Sequence, residues 1–302
     1  MKIKDIVHSG KPSVSFEVFP PKRDMPLDPV KAAVRELAAA KPAFMSVTYG
    51  AAGGNSSANT AAIAGFVKKE CGVTALAHLT CVAASRESIR EEVAALTAAG
   101  VENVLALRGD IPAGMEFPGA TDFRHASDLV RFLKEIRPEL CLGGACYPEG
   151  HPECAHLKDD IAHLKEKVDA GLDFLTTQMF FDNNILYAYL AKIRSAGIQV
   201  PVVAGVMPVT NAKQITRICK LSGTLLPPRF RAIVDRFGDN PDAMLEAGIA
   251  HATEQIVDLF ANGVDNVHVY TMNKPAVANR IMANLRSIVS NGRDDDRTAV
   301  EH

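Results

Sequence analysis

The feature that most restricts this chain is a repeated unit. An apolar, β-branched run followed by an amphipathic helical stretch recurs at intervals of roughly thirty residues, the length of one strand–helix–strand crossover. The opening run is Val14-Ser15-Phe16-Glu17-Val18-Phe19, stopped by Pro20-Pro21, and others follow at Ala43–Thr48, Val73–Thr80, Val101–Leu107, Leu140–Tyr147, Leu172–Met179, Val200–Val206 and Asn266–Tyr270. Parallel strands need a crossover of this length, and eight such units predict an α/β fold, a single-domain (β/α)8 TIM barrel over residues 1–290 with a frayed polar tail at 291–302. A doubly wound sheet competes with that reading. For a dinucleotide, however, it would carry a GxGxxG turn, and Gly50-Ala51-Ala52-Gly53-Gly54 lacks that spacing.

Local signals mark the helices. Asp28-Pro29 reads as an N-cap with a first-turn proline, Ser85 and Ser127 as further caps, and Gly100, Gly171 and Gly197 as stops. A helix is expected from about Asp159, a helix-rich stretch from Asn211 to Asn262, and a terminal helix from Pro275 to Ile288. Met1 to Asp5 reads as an ordinary polar lead-in, with no targeting pattern, and no apolar run reaches the roughly 20 residues a bilayer span needs. A cytoplasmic protein is therefore expected. At 302 residues and 47% hydrophobic content the chain can bury a sizeable core. Its formal charge of -2 gives no bulk attraction to nucleic acid or to an anionic membrane. Six cysteines without a CxxC pair predict reduced thiols.

Polar side chains sit where the apolar runs end: Glu17, Thr48, His78, Arg108 with Asp110, Tyr147 and Gln178. In a parallel barrel these ends share one face, so the residues are expected to meet in one pocket. Glu17 interrupts an apolar run, and walls of Phe16 and Phe19 would raise its pKa and make it a general acid. The alternative is a solvated Glu17 paired with Lys22 or Arg23. Arg108-Gly109-Asp110 sets a cation and an anion across a glycine where backbone can approach a ligand, or is a local ion pair. Asp160, His163 and Lys167 share a helix face that either is solvated or lines the barrel rim and meets cofactor phosphates. Cys146, His151, Cys154 and His156 match no tetrahedral spacing, so no metal is expected.

Several of these segments form longer motifs: Ser15-Phe16-Glu17-Val18-Phe19-Pro20-Pro21, Ser46-Val47-Thr48-Tyr49-Gly50, Ala77-His78-Leu79-Thr80-Cys81, Ala106-Leu107-Arg108-Gly109-Asp110 and Tyr147-Pro148-Glu149-Gly150-His151-Pro152. Lys167-Val168-Asp169-Ala170-Gly171, Thr177-Gln178-Met179-Phe180-Phe181-Asp182 and Gly205-Val206-Met207-Pro208-Val209 continue the series. In this order, from about residue 12 to 288, the chain resembles the methylenetetrahydrofolate reductases of the short bacterial type, and no C-terminal regulatory domain is expected.

That resemblance implies an FAD-dependent oxidoreductase that takes hydride from NADH or NADPH and reduces 5,10-methylenetetrahydrofolate to 5-methyltetrahydrofolate, the two substrates using one site in turn. It implies Glu17 and Asp110 as catalytic residues. FAD contacts fall on Thr48, Tyr49, Ala51, His78, Arg108, Gly109, Asp110, Ala126, Tyr147, His151, Asp160 and Lys167. Substrate contacts fall on Glu17, Thr48, Gln178, Gln214 and Lys274. The chain departs from relatives at Ile218, where they can carry an aromatic, and at Lys274, where they can carry an arginine with its bidentate grip on carboxylates. Partners are expected to be small molecules and further copies of the chain, with no nucleic acid and no membrane. Two other readings stand beside this one: a flavoprotein subunit that transfers electrons only with a partner protein, and, from strand count alone, a flavin-free lyase or aldolase barrel.

Overall fold

Alternation along the first strand shows how the fold is built. Val14, Phe16 and Val18 face outward into the layer between sheet and helices, whereas Ser13, Ser15 and Glu17 face the barrel interior. The computed structural model describes residues 1–21, 25–49, 56–111, 114, 117 and 122–291. The expected FAD contact Ala51, the possible Glu17 partners Lys22 and Arg23, and the tail beyond residue 291 lie outside them.

The strands are β1 (Ser13–Val18), β2 (Met45–Val47), β3 (Ala75–Thr80), β4 (Asn103–Leu107), β5 (Cys141–Cys146), β6 (Phe174–Thr177), β7 (Val202–Val206) and β8 (Asn266–Tyr270). Each pairs in parallel with the next, and β8 returns to β1, so the sheet closes into the expected eight-stranded barrel. The closing ladder runs from Ser13 opposite Asn266 to Glu17 opposite Tyr270. Around it lie α2 (Asp28–Ala39), α3 (Ser56–Lys69), α4 (Arg86–Ala98), α5 (Ala126–Ile136), α6 (Leu157–Asp169), α7 (Asn183–Ser195), α8 (Ala212–Ser222), α9 (Pro228–Phe237), α10 (Pro241–Ala261), α11 (Pro275–Asn284) and α12 (Arg286–Asn291). Their apolar faces and the outward strand residues form one continuous core. A smaller cluster, with Phe181, Ile215, Phe230 and Met244, packs α8, α9 and α10 beside the barrel.

The amino terminus corrects the sequence reading. Met1 to Asp5 is not a plain polar lead-in: Ile3–Val7 forms α1, and its Ile3 and Val7 plug the barrel floor with Phe44, Leu76, Leu105, Cys141, Phe174 and Val203. Two interior asparagines hold the plug. Asn103 Oδ1 accepts the Ile3 N–H at 2.8 Å, and Asn266 Nδ2 donates to the Val7 carbonyl at 3.0 Å. Only i, i+4 spacing in an otherwise polar segment hinted at this helix.

Helix starts differ by a residue or two from expectation. Asp28 is the first residue of α2 rather than its cap. Ser85 caps α4 as expected, in a reciprocal capping box with Ser88. At α5 the cap position is His125, not Ser127, because the Asp128 carboxylate reaches back to the N–H groups of Arg124 and His125, each at 3.0 Å. The expected terminal helix is broken at Leu285 into α11 and α12. No helix among the described residues is long and apolar enough to cross a membrane.

Candidate active site at the barrel mouth

A cavity of about 900 Å³ opens at the C-terminal ends of β3, β4 and β5, walled by α4, the start of α5 and one face of α6. Its lining includes every residue of the expected FAD set except Thr48 and Ala51: Tyr49, His78, Arg108, Gly109, Asp110, Ala126, Tyr147, His151, Asp160 and Lys167. Thr48 instead ends the β2 ladder, where its N–H donates to the Val18 carbonyl and its own carbonyl accepts the Thr60 hydroxyl, both at 3.0 Å.

The remaining expected site residues lie elsewhere on the mouth. Gln178 follows β6, and its Oε1 accepts the Met179 N–H at 2.9 Å. Gln214 is exposed on α8, and Lys274 donates from Nζ to Thr210 Oγ1 at 2.9 Å. Strand-end residues thus meet at one end of the barrel, while the cavity proper collects those from the β2 to β5 side together with α6.

Glu17 sits where β1 leaves the barrel, and its surroundings correct the sequence reading. Phe16 points the opposite way into the outer core, and Phe19 is 38% exposed, so neither walls the carboxylate. Its neighbours are imidazoles: His78 Nε2 at 3.7 Å and His268 Nε2 at 3.9 Å from Glu17 Oε2. Burial, opposed only in part by the Glu17 charge, pushes His78 down to about 4, so its imidazole is neutral at physiological pH. Its Nε2 has no hydrogen-bond partner among the described residues. His268 is fixed on both edges, with Ser15 Oγ 2.7 Å from Nδ1 and Ser46 Oγ 2.9 Å from Nε2, and is stacked on Phe44. Two imidazoles, one of them held by serine hydroxyls, therefore flank Glu17.

His268 was not singled out from sequence. The signal was available in Asn266, His268 and Tyr270, which alternate with valines in β8 as an inward polar face. Tyr270 closes that face, its phenol donating to the Thr177 carbonyl at 2.6 Å. A Cβ on Gly205 would lie 2.6 Å from this phenol oxygen, so glycine leaves the room the tyrosine occupies.

Arg108 is paired, but not with Asp110. Its terminal nitrogens grip both carboxylate oxygens of Glu153 at 2.6 Å, and its Nε donates to the Gly109 carbonyl at 3.2 Å. Asp110, two residues on, lines the cavity from an exposed position after Gly109, whose φ of +89° turns the chain. That glycine has little room for a side chain, since a Cβ would stand 3.0 Å from Thr80 Cβ. Glu153 and Glu92 are the acidic wall residues that sequence reasoning missed. Tyr49 donates its phenol proton to Glu92 Oε1 at 2.8 Å, and burial raises the pKa of that carboxyl while its second oxygen has no partner among the described residues.

Asp160, His163 and Lys167 all line the cavity, Asp160 and Lys167 half-buried and His163 exposed. Burial lowers the Lys167 pKa and raises that of Asp160, whose Oδ2 accepts the His151 N–H at 3.3 Å. His151 stands edge-on to Tyr147, with ring centroids 4.6 Å apart, and burial pushes the Tyr147 phenol up to about 12. No group of three or more His, Cys, Asp or Glu among the described residues could hold a metal ion.

Fold and site define a parallel (β/α)8-barrel protein with a large cavity at the face where its strands end. Comparison with known proteins narrows the class. The chain belongs to the methylenetetrahydrofolate reductase family, whose model matches residues 2–286. It is 33% identical over 276 residues to the 5,10-methylenetetrahydrofolate reductases of Escherichia coli and Pectobacterium carotovorum, covering 91% of this chain and 91% of each relative. To methylenetetrahydrofolate reductase 1 of Schizosaccharomyces pombe it is 35% identical over 292 residues, 94% of this chain but 48% of that protein. The chain thus spans about half the length of the eukaryotic relatives it matches. A solved Clostridium thermocellum structure that binds two copies of 5-methyl-5,6,7,8-tetrahydrofolic acid shares the fold, with a TM-score of 0.62 at 13% identity, covering 96% of this chain and 99% of that one.

Proposed function

We propose that this chain is a flavin-dependent methylenetetrahydrofolate reductase that uses NADH or NADPH, with both substrates taking turns at one site. The observation that carries this reading is a carboxylate, Glu17, set between two buried imidazoles at the mouth beside a cavity of about 900 Å³. Family membership of residues 2–286 supports it.

The cavity's donors and acceptors suit FAD. Lys167, whose Nζ donates to the Ala145 carbonyl, and Arg108, in exchange for Glu153, would supply cations for a pyrophosphate; Gly109 permits close backbone approach, and the unpartnered His78 Nε2 and Glu92 Oε2 are buried polar atoms that a polyol or ring edge would satisfy. When bound, FAD supplies reversible hydride chemistry. Glu17 donates its proton to a ring nitrogen of the folate, so that the five-membered ring opens and its methylene carbon becomes the electrophile. His268, held between Ser15 and Ser46, fixes one wall of the space around the Glu17 carboxyl. Asp110 stabilises positive charge on the pterin. Gln178 hydrogen-bonds the stacked substrate, Gln214 faces the folate tail, and Lys274 meets the tail carboxylates as a point charge.

Rapid-mixing kinetics of the two half-reactions test this assignment. Glu17→Gln should leave flavin reduction by the nicotinamide nearly intact and slow folate reduction at least about a hundredfold, the typical loss for an acid catalyst. Equal losses in both half-reactions would remove Glu17 from the role.

A further inference from the structure

Directly after β8 the chain takes a turn that its residues do not favour. Met272 and Asn273 are consecutive and left-handed, at φ 52° and 53°, with no glycine between them. Asparagine tolerates that conformation, but methionine has no local hydrogen bond to offset it. A strained pair of this kind persists only where its surroundings over-determine it.

The surroundings are the far end of β1. The main-chain ladder between β1 and β8 stops at Glu17 opposite Tyr270. Three and four residues further on, Pro20 and Pro21 have no N–H with which to extend it. Side chains take over there. Asn273 Oδ1 accepts the Phe19 N–H at 3.0 Å, while its Nδ2 donates to the Phe19 carbonyl at 2.9 Å, so one amide group pairs both backbone groups of one residue as a neighbouring strand would. Thr271 Oγ1 donates to the carbonyl of Glu17 itself at 2.6 Å and accepts the Asn273 N–H at 3.2 Å. The left-handed turn is what brings the Asn273 amide back to face Phe19.

We propose that Asn273 is a positioning residue which, with Thr271, clamps the end of β1 and thereby sets the Glu17 carboxyl against its substrate. Without the clamp, the residues after Glu17 would have no lateral partner on the β8 side, and the acid would stand at the free end of that ladder. Lys274 leaves the same turn and is anchored on Thr210, so the clamp also fixes the starting point of the proposed tail-binding cation. The inference rests on the role proposed for Glu17, and its test separates the two.

The test uses the full chain with FAD bound. Asn273→Ala should slow folate reduction ten- to a hundredfold, as a misplacement of about 1 Å does, and change flavin reduction by less than about twofold. Combined with Glu17→Gln, it should add nothing, because both act through one carboxyl. Met272→Gly, which relieves the left-handed strain and keeps the amide, should raise the melting temperature and leave both half-reactions unchanged. Equal slowing of both half-reactions by Asn273→Ala, additivity with Glu17→Gln, or a slow Met272→Gly variant would overturn the proposal. Amide hydrogen exchange in the flavin-free protein provides an independent reading: Asn273→Ala should deprotect the Phe19 N–H and Met272→Gly should not, and an unchanged Phe19 N–H in Asn273→Ala would also overturn it. If Glu17→Gln alone proves as fast as the unmodified protein, the acid assignment fails while the exchange data still judge the clamp.

Discussion

His78 joins the barrel interior to the cavity. Its pKa in the fold, about 4, lies below the roughly 6.5 of an unfolded histidine, so the unfolded chain takes up a proton first as the pH falls. Its contribution to stability is therefore complete above about pH 6.5 and is lost as the pH drops toward 4, a change on the order of 3 kcal/mol at 1.36 kcal/mol per unit. Urea unfolding at pH 7.5 and pH 5 should show this loss in the unmodified protein and a smaller loss in His78→Asn; equal losses would place the titrating group elsewhere. Gly109 offers a second test. With φ at +89° and Thr80 Cβ 3.0 Å from where a Cβ would stand, Gly109→Ala should weaken FAD binding at least about tenfold while leaving the circular dichroism of the fold in place. Inward polar positions were legible where an odd polar side chain broke an apolar run, as at Glu17 and His78. It was not legible at Glu153 and Glu92, whose partners Arg108 and Tyr49 lie 45 and 43 positions away in the chain.

Strands and helices were readable for a different reason. Their periodicities and their proline and glycine stops are local, so each strand is found within a few residues of its expected limits. The misses share a cause, since they depend on contacts from outside the element. α1 is too short to be stable in isolation and exists because the open barrel floor buries Ile3 and Val7. Ile3→Ala should accordingly cost about 2–5 kcal/mol in chemical denaturation, the range for truncating a fully buried aliphatic residue. A cost under about 1 kcal/mol would mean that the plug is dispensable. Likewise α5 starts at Ala126 because Asp128 folds back on two N–H groups, a choice that a serine in the next position concealed.

Closure of the sheet brings these pieces to one mouth, because the ends of eight parallel strands must emerge on one face. If the mouth cavity holds FAD, ligand and folded state are linked. The melting temperature of flavin-free protein should rise with added FAD, by an amount equivalent to about 2.7 kcal/mol at a hundredfold excess over the dissociation constant. A melting temperature indifferent to FAD would count against the cavity as its seat. The amino-acid order alone settled the number of strand–helix units, their direction and the reactive groups at their ends, since those follow from spacing along the chain. Folding in three dimensions chose the neighbours. It gave Glu17 two histidines instead of two phenylalanines and gave Arg108 the carboxylate of Glu153 instead of that of Asp110. It also tied Asn273 to Phe19, because strand alternation and barrel closure bring together groups separated by as many as 254 positions.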